Sequence, residues 1–223
     1  MNRGPINGDP EGGGEVSSDR AGAAAVLSGL SYLFEYPTAI DPLAWDRAEA
    51  AVVDMGSDAL TVRMREVRGQ VAGRATAERE ESYIATFELG AVCVPYVSAH
   101  LFGEENFKRA AFLAALRGRM QERRFDWGAE LPDHLGPMLR FLAGSDPEEA
   151  RELIHFCLLG AIGRMRATLP GGHDYGELLA LVEAVLEAWF PGVGAAPLPV
   201  DAREPSGCAL AGSGCGVTEV GGA

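Results

Sequence analysis

Between about residue 19 and residue 190 the large apolar side chains recur every three to four positions, the spacing of one face of an α-helix. Strict alternation, which a half-buried strand needs, is almost absent, so the pattern leaves one architecture open: helices packed side by side. After the cap candidates Ser18 and Asp19, a first helix is marked by Ala23, Val26, Leu27, Leu30, Leu33 and Phe34, and Pro37 ends it. Asp41 and Pro42 read as the cap and first-turn proline of a second helix through Leu43, Trp45, Ala48 and Val52. Leu60, Met64, Val67 and Val71 predict a third that breaks near Gly73. Glu78, Glu80 and Glu81 favour the start of a fourth, with Tyr83, Ile84 and Phe87 on its apolar side and Gly90 at its end.

The segment 91–98 is the one strand candidate, but Pro95 interrupts it and no second strand exists to pair with it, so it reads as an irregular connection. From Glu104 to about Arg124 alanines, leucines and Phe107 occupy most of the helical circumference, which predicts a helix crossing the core. Leu131, Leu135, Met138, Leu139 and Leu142 predict the next. Asp146-Pro147-Glu148-Glu149 combines a cap, an N1 proline and first-turn acids, and opens a helix that runs to the LPGG turn. Leu178, Leu179, Val182, Val185, Leu186 and Trp189 define the last. The expectation is an all-α, single-domain bundle of about eight helices over residues 19–190. Residues 1–18 and 191–223 are rich in Gly, Pro and small side chains, which predicts a disordered arm and a flexible tail.

Composition narrows the function. Hydrophobic residues make up 47% of the chain, enough for a core, yet no run reaches the ~20 apolar residues of a membrane span. The first eighteen residues lack a basic start followed by an apolar block, so the reading is a cytoplasmic protein. A formal net charge of -13 repels phosphate backbones and attracts cationic partners, which argues against nucleic acid. Cys93, Cys157, Cys208 and Cys215 form no CxxC pair, and no common nucleotide, metalloprotease or hydrolase motif occurs. Neither a cofactor nor a bound metal is expected, and the protein is read as a non-enzyme. An all-helical enzyme or metal-binding redox protein, using Asp133, His134 and the cysteines, is the alternative.

One segment is unusual: Glu130-Leu131-Pro132-Asp133-His134-Leu135 sets two carboxylates and an imidazole around a proline turn where a helix begins. Such acids either hold a basic side chain or cap orphan backbone amides. The two roles differ in outcome, because a binding role leaves stability intact in Asp133→Ala or His134→Ala whereas a capping role does not.

ELPDHL, followed by Leu139, Phe141 and Leu142, resembles the motif of the TorD/NarJ family of assembly chaperones for molybdenum enzymes. Three further pieces fall in the family's order: LSYLFEYP at 30–37, Tyr83 through Gly90, and Pro95-Tyr96-Val97-Ser98 leading to Leu101-Phe102. Arg140 and Val97 stand where the family often has acids, and Gly136-Pro137 alters the helix start. The resemblance implies a cytoplasmic chaperone, monomer or dimer. Its partner would be the N-terminal or twin-arginine leader segment of a molybdoenzyme catalytic subunit, held until the molybdopterin cofactor is inserted. It assigns client-peptide binding to Glu130, Pro132, Asp133 and His134, with Tyr83, Phe87 and Phe141 as core or groove lining.

Overall fold

The computed structural model describes residues 13–37 and 43–198. The cap candidates Asp41 and Pro42, the tail cysteines Cys208 and Cys215, and most of the two terminal segments lie outside the described residues. The chain is an all-α single-domain bundle, with no strand among the described residues.

Helix α1 (Gly13–Ser31) starts ahead of the cap expected at Ser18 and runs into a 3-10 turn, Tyr32–Phe34. Helices α2 (Ala44–Asp54) and α3 (Asp58–Ala72) follow, the second capped by the Ser57 hydroxyl. Then come α4 (Thr76–Phe87), the short α5 (Val97–Phe102), α6 (Phe107–Glu122) and α7 (Leu135–Ala143). Helix α8 (Pro147–Leu153) passes through a π turn, Ile154–Leu158, into α9 (Leu159–Thr168), and α10 (Asp174–Trp189) ends the bundle. Counting that continuous rod once gives nine helices among the described residues. Asp146 accepts from the Glu148 and Glu149 amides with Pro147 in the first turn, as the sequence predicts.

Helix α1 packs on α2, α7 and α10, and α10 also meets α3 and α9, so these two form the axis of the bundle. Close approach is enforced at Gly29, where a Cβ would lie 2.9 Å from the Ala48 Cβ and 3.0 Å from the Ala44 carbonyl. No helix among the described residues is long and apolar enough to cross a membrane.

Three expectations change. The core-crossing helix is α10, in which Leu178 through Val182, Val185 and Leu186 are all buried, and not α6. In α6 only Leu116 and Met120 are buried, while Phe107 is 80% exposed. The reason is chemical: four of the nine apolar residues of α6 are alanines, which gain little on burial, and charged residues interrupt the helix from Lys108 to Glu122. Second, the irregular connection ends at Tyr96, two residues earlier than expected, and Val97 and Ser98 open α5, whose residues Val97 to Leu101 are all buried. Six residues carry too little pattern for a helical period to be read. Third, ordered packing continues past Pro191 to Leu198. Val193 is buried, and the Ala196 amide donates to the His155 carbonyl at 2.8 Å, an acceptor within the π turn.

Candidate functional site

The proline turn is built against the segment leading into α5. The Val97 amide donates to the Asp133 carbonyl and the Leu135 amide to the Pro95 carbonyl, each at 2.9 Å, which makes one antiparallel bridge between Tyr96 and His134. Pro95 and Pro132 have no N–H to extend it, so pairing stops there. Helix α7 therefore begins at Leu135, four residues later than the apolar period alone suggests.

Asp133 is fully buried. Its Oδ2 accepts from the Ser98 amide at 3.2 Å and from the Ser98 hydroxyl at 2.5 Å, while Arg109 Nε donates to that hydroxyl oxygen at 3.0 Å. Ser98 lies in the first turn of α5, where backbone amides lack helical partners, so Asp133 caps a helix distant in sequence. The chain thereby ties together the starts of α5 and α7 and the second residue past the start of α6.

His134 is likewise buried and caps its own helix, Nδ1 accepting from the Gly136 amide at 3.2 Å. The ring proton then belongs on Nε2. That donor and Asp133 Oδ1 are buried with no hydrogen-bond partner among the described residues. A Cβ on Gly136 would lie 2.9 Å from the Ser31 carbonyl, so α7 must start with a residue this small to sit against the end of α1. Asp133, His134 and Pro132, assigned to client contact by the resemblance, are thus interior groups, and the capping role is the one their positions satisfy.

Burial lowers the His134 pKa below its ordinary value, against the opposing charges of Glu130, Glu35 and Asp133. His100, also buried, is lowered for the same first reason. A histidine kept neutral by the fold binds fewer protons than it does unfolded. Its stabilising contribution is complete above the ordinary value near 6.5 and is lost as pH falls below it. Each such histidine steepens the loss by up to about 1.4 kcal/mol per pH unit. Chemical denaturation of the wild type and His134→Gln between pH 7 and pH 5 should show the shallower dependence in the variant; equal slopes would assign it elsewhere.

The solvent-facing part of the site lies at the rim. Glu130 is exposed and accepts from the Tyr96 hydroxyl at 3.0 Å, and the Tyr96 ring stands edge-on to His134 at 5.6 Å. Burial, aided by Glu130, raises the Tyr96 phenol to about 12. Tyr83 is pushed up by burial and then by Glu130, Glu88, Tyr96 and Glu35, and Tyr36 by burial and then by Glu80 and Glu88. Three tyrosines therefore sit within the field of four glutamates. Tyr36 packs edge-on to Tyr83 at 5.4 Å, and Tyr83 to Phe87 at 5.2 Å. Glu35 is held by Arg140, whose guanidinium lies over the Tyr32 ring at 5.0 Å. Glu88 and Glu130 have no basic partner among the described residues. Leu89 beside the first is 79% exposed and Leu131 beside the second 42%.

Of the residues singled out in the sequence, Glu130 is accessible, Tyr83 and Phe87 form the aromatic floor, and Phe141 lies elsewhere. Its ring packs on Phe125 at 5.3 Å with Arg123 over it, inside the core. Sequence reasoning missed Glu35, Tyr36, Glu80, Glu88 and Tyr96 as one cluster. Four of the five stand within or next to quoted motifs, but their convergence is tertiary. The alternative chemistry finds little purchase in the cysteines, because burial pushes the thiols of Cys93 and Cys157 up to about 11 and leaves both protonated at neutral pH. Among the described residues no group of three or more His, Cys, Asp or Glu is arranged to hold a metal. No protein-family model matches the chain, and no curated protein matches it.

Proposed function

We propose that this protein is a cytoplasmic assembly chaperone of the TorD/NarJ type, which binds the N-terminal segment of a molybdoenzyme catalytic subunit until its cofactor is inserted. The observation that carries the reading is the rim cluster: Glu88 and Glu130, without cationic partners, beside Tyr36 and Tyr96 and next to exposed Leu89 and Leu131. Carboxylates of this kind receive arginine side chains, tyrosine faces stack on guanidinium groups, and exposed leucines cover an apolar leader segment. The overall charge of -13 adds long-range attraction for such a segment. The interior turn of Pro132, Asp133 and His134 holds Tyr96 and Glu130 in place and does not itself touch the client.

A chaperone must release what it binds, which favours a Kd near ~1 μM. Fluorescence anisotropy with a labelled twin-arginine leader peptide tests this. The combined variant Glu88→Gln, Glu130→Gln is expected to bind roughly ten times more weakly at low salt, with unchanged helicity and Tm. A leader whose arginines are replaced by glutamine, bound as tightly as the original, would refute the assignment.

A further inference from the structure

The π turn between α8 and α9 frees one backbone carbonyl from its helix. The Leu159 amide, which an α-helix would aim at the His155 carbonyl, donates instead to the Ile154 carbonyl. The His155 carbonyl accepts from the Ala196 amide at 2.8 Å, and His155 Nδ1 lies 2.6 Å from the Gly194 carbonyl. A carbonyl only accepts, so Nδ1 carries the ring proton and donates. One residue thus holds positions 194 and 196 of an extended chain through their main-chain groups, as a parallel neighbouring strand would, with the ring N–H standing in for a strand amide.

Side chains set the register. Val193 is buried, and Leu198 packs on the core over Gly160, where a Cβ would lie 3.1 Å from the Leu198 Cδ2 and 3.8 Å from the Leu101 Cδ2. The glycine is the notch in which Leu198 sits. Retention of the segment is local. Residues 191–198 carry no charged side chain, Pro191, Gly192, Gly194, Ala195 and Pro197 are exposed, and both hydrogen bonds from the segment to the helices end on His155. A segment held by so few contacts opens at small free-energy cost while the helices under it stay packed. Opening uncovers a main-chain acceptor, a ring donor and an aliphatic notch in one row.

We propose that this row is a binding site for an extended, uncharged segment of another polypeptide, and that residues 193–198 occupy it as an autoinhibitory strap. The seated strap shows the chemistry that fits: small residues at the two positions paired with His155, which let the main chain approach, and an aliphatic side chain two residues later for the notch. None of the acidic rim residues takes part, so this site stands or falls separately from the client reading above.

Fluorescence anisotropy with a labelled peptide of the strap sequence, PGVGAAPLP, tests the site on the full chain. Ala196→Pro deletes the amide that His155 receives, and Leu198→Ser empties the notch, while the helices that form the site keep their sequence. The double variant is expected to bind the peptide roughly tenfold more tightly than the wild type, whose own strap competes at an effective concentration of about 1 mM. Binding should be lost when His155→Ala is added to that background, and with a peptide carrying proline in place of the residue equivalent to Ala196. Leu198→Ser alone gives the same comparison if the proline variant does not fold. No binding to a folded released variant, equal binding to it and to the wild type, or undiminished binding of the proline peptide would overturn the proposal. So would a wild-type dimer that dissociates in Ala196→Pro, because it would assign the site to straps exchanged between copies of this chain.

Discussion

Asp133→Ala is expected to lower stability by about 3 kcal/mol, a fall of roughly 6–12 °C in Tm for a domain of this size. The carboxylate is fully buried and serves the Ser98 amide and hydroxyl, with Arg109 behind them. Truncation leaves two buried donors unpaired and strips the cationic Arg109 of its relayed counter-charge, and unmade buried hydrogen bonds cost more than made ones contribute. Asp133→Asn, which retains an acceptor oxygen, should recover part of the loss. Denaturant unfolding reads both variants. A normal Tm combined with abolished peptide binding would return Asp133 to the client surface and contradict its placement.

Phe141→Ala should cost about 3–5 kcal/mol, the range for removing a buried aromatic ring. The ring is 2% exposed, packs against Phe125 and carries the Arg123 guanidinium, itself tied to Asp146 at 3.2 Å and Glu149 at 2.6 Å. The cavity therefore also loosens the junction of α7 with α8. The midpoint of urea unfolding should drop with little change in slope, and peptide affinity measured on the folded fraction should stay close to wild type. A large loss of affinity with unchanged stability would place Phe141 in a groove instead of the core.

The first prediction separates the two roles that the sequence leaves open for the ELPDHL segment, and the second separates core from groove for Phe141. In the sequence the acid and imidazole of that segment fit either a binding loop or a cap on orphan amides, and only the resemblance assigns them to a client. Nothing local signals that Ser98, 35 positions upstream, needs an acceptor for the first turn of a six-residue helix. The legible elements were the long ones. Helices α3, α4 and α10 carry several turns of apolar period, while the shorter α8 is marked by Asp146 and Pro147, signals that act within one turn of the chain. Helix α6 misled because alanine satisfies the apolar period without committing to burial. The rim cluster escaped because Glu35, Glu88 and Glu130 come from three separate segments, and no spacing rule joins them.

Sequence alone determined the all-α class, most helix positions and the acidic surface, because helical period, caps and net charge are properties of neighbouring residues or of simple sums. Tertiary structure decided which helix is central, that Asp133 and His134 face inward, and that Glu88 and Glu130 meet around tyrosines. Those outcomes depend on which faces compete for a limited interior and on which distant amides need an acceptor, and such competition exists only once the helices are packed together.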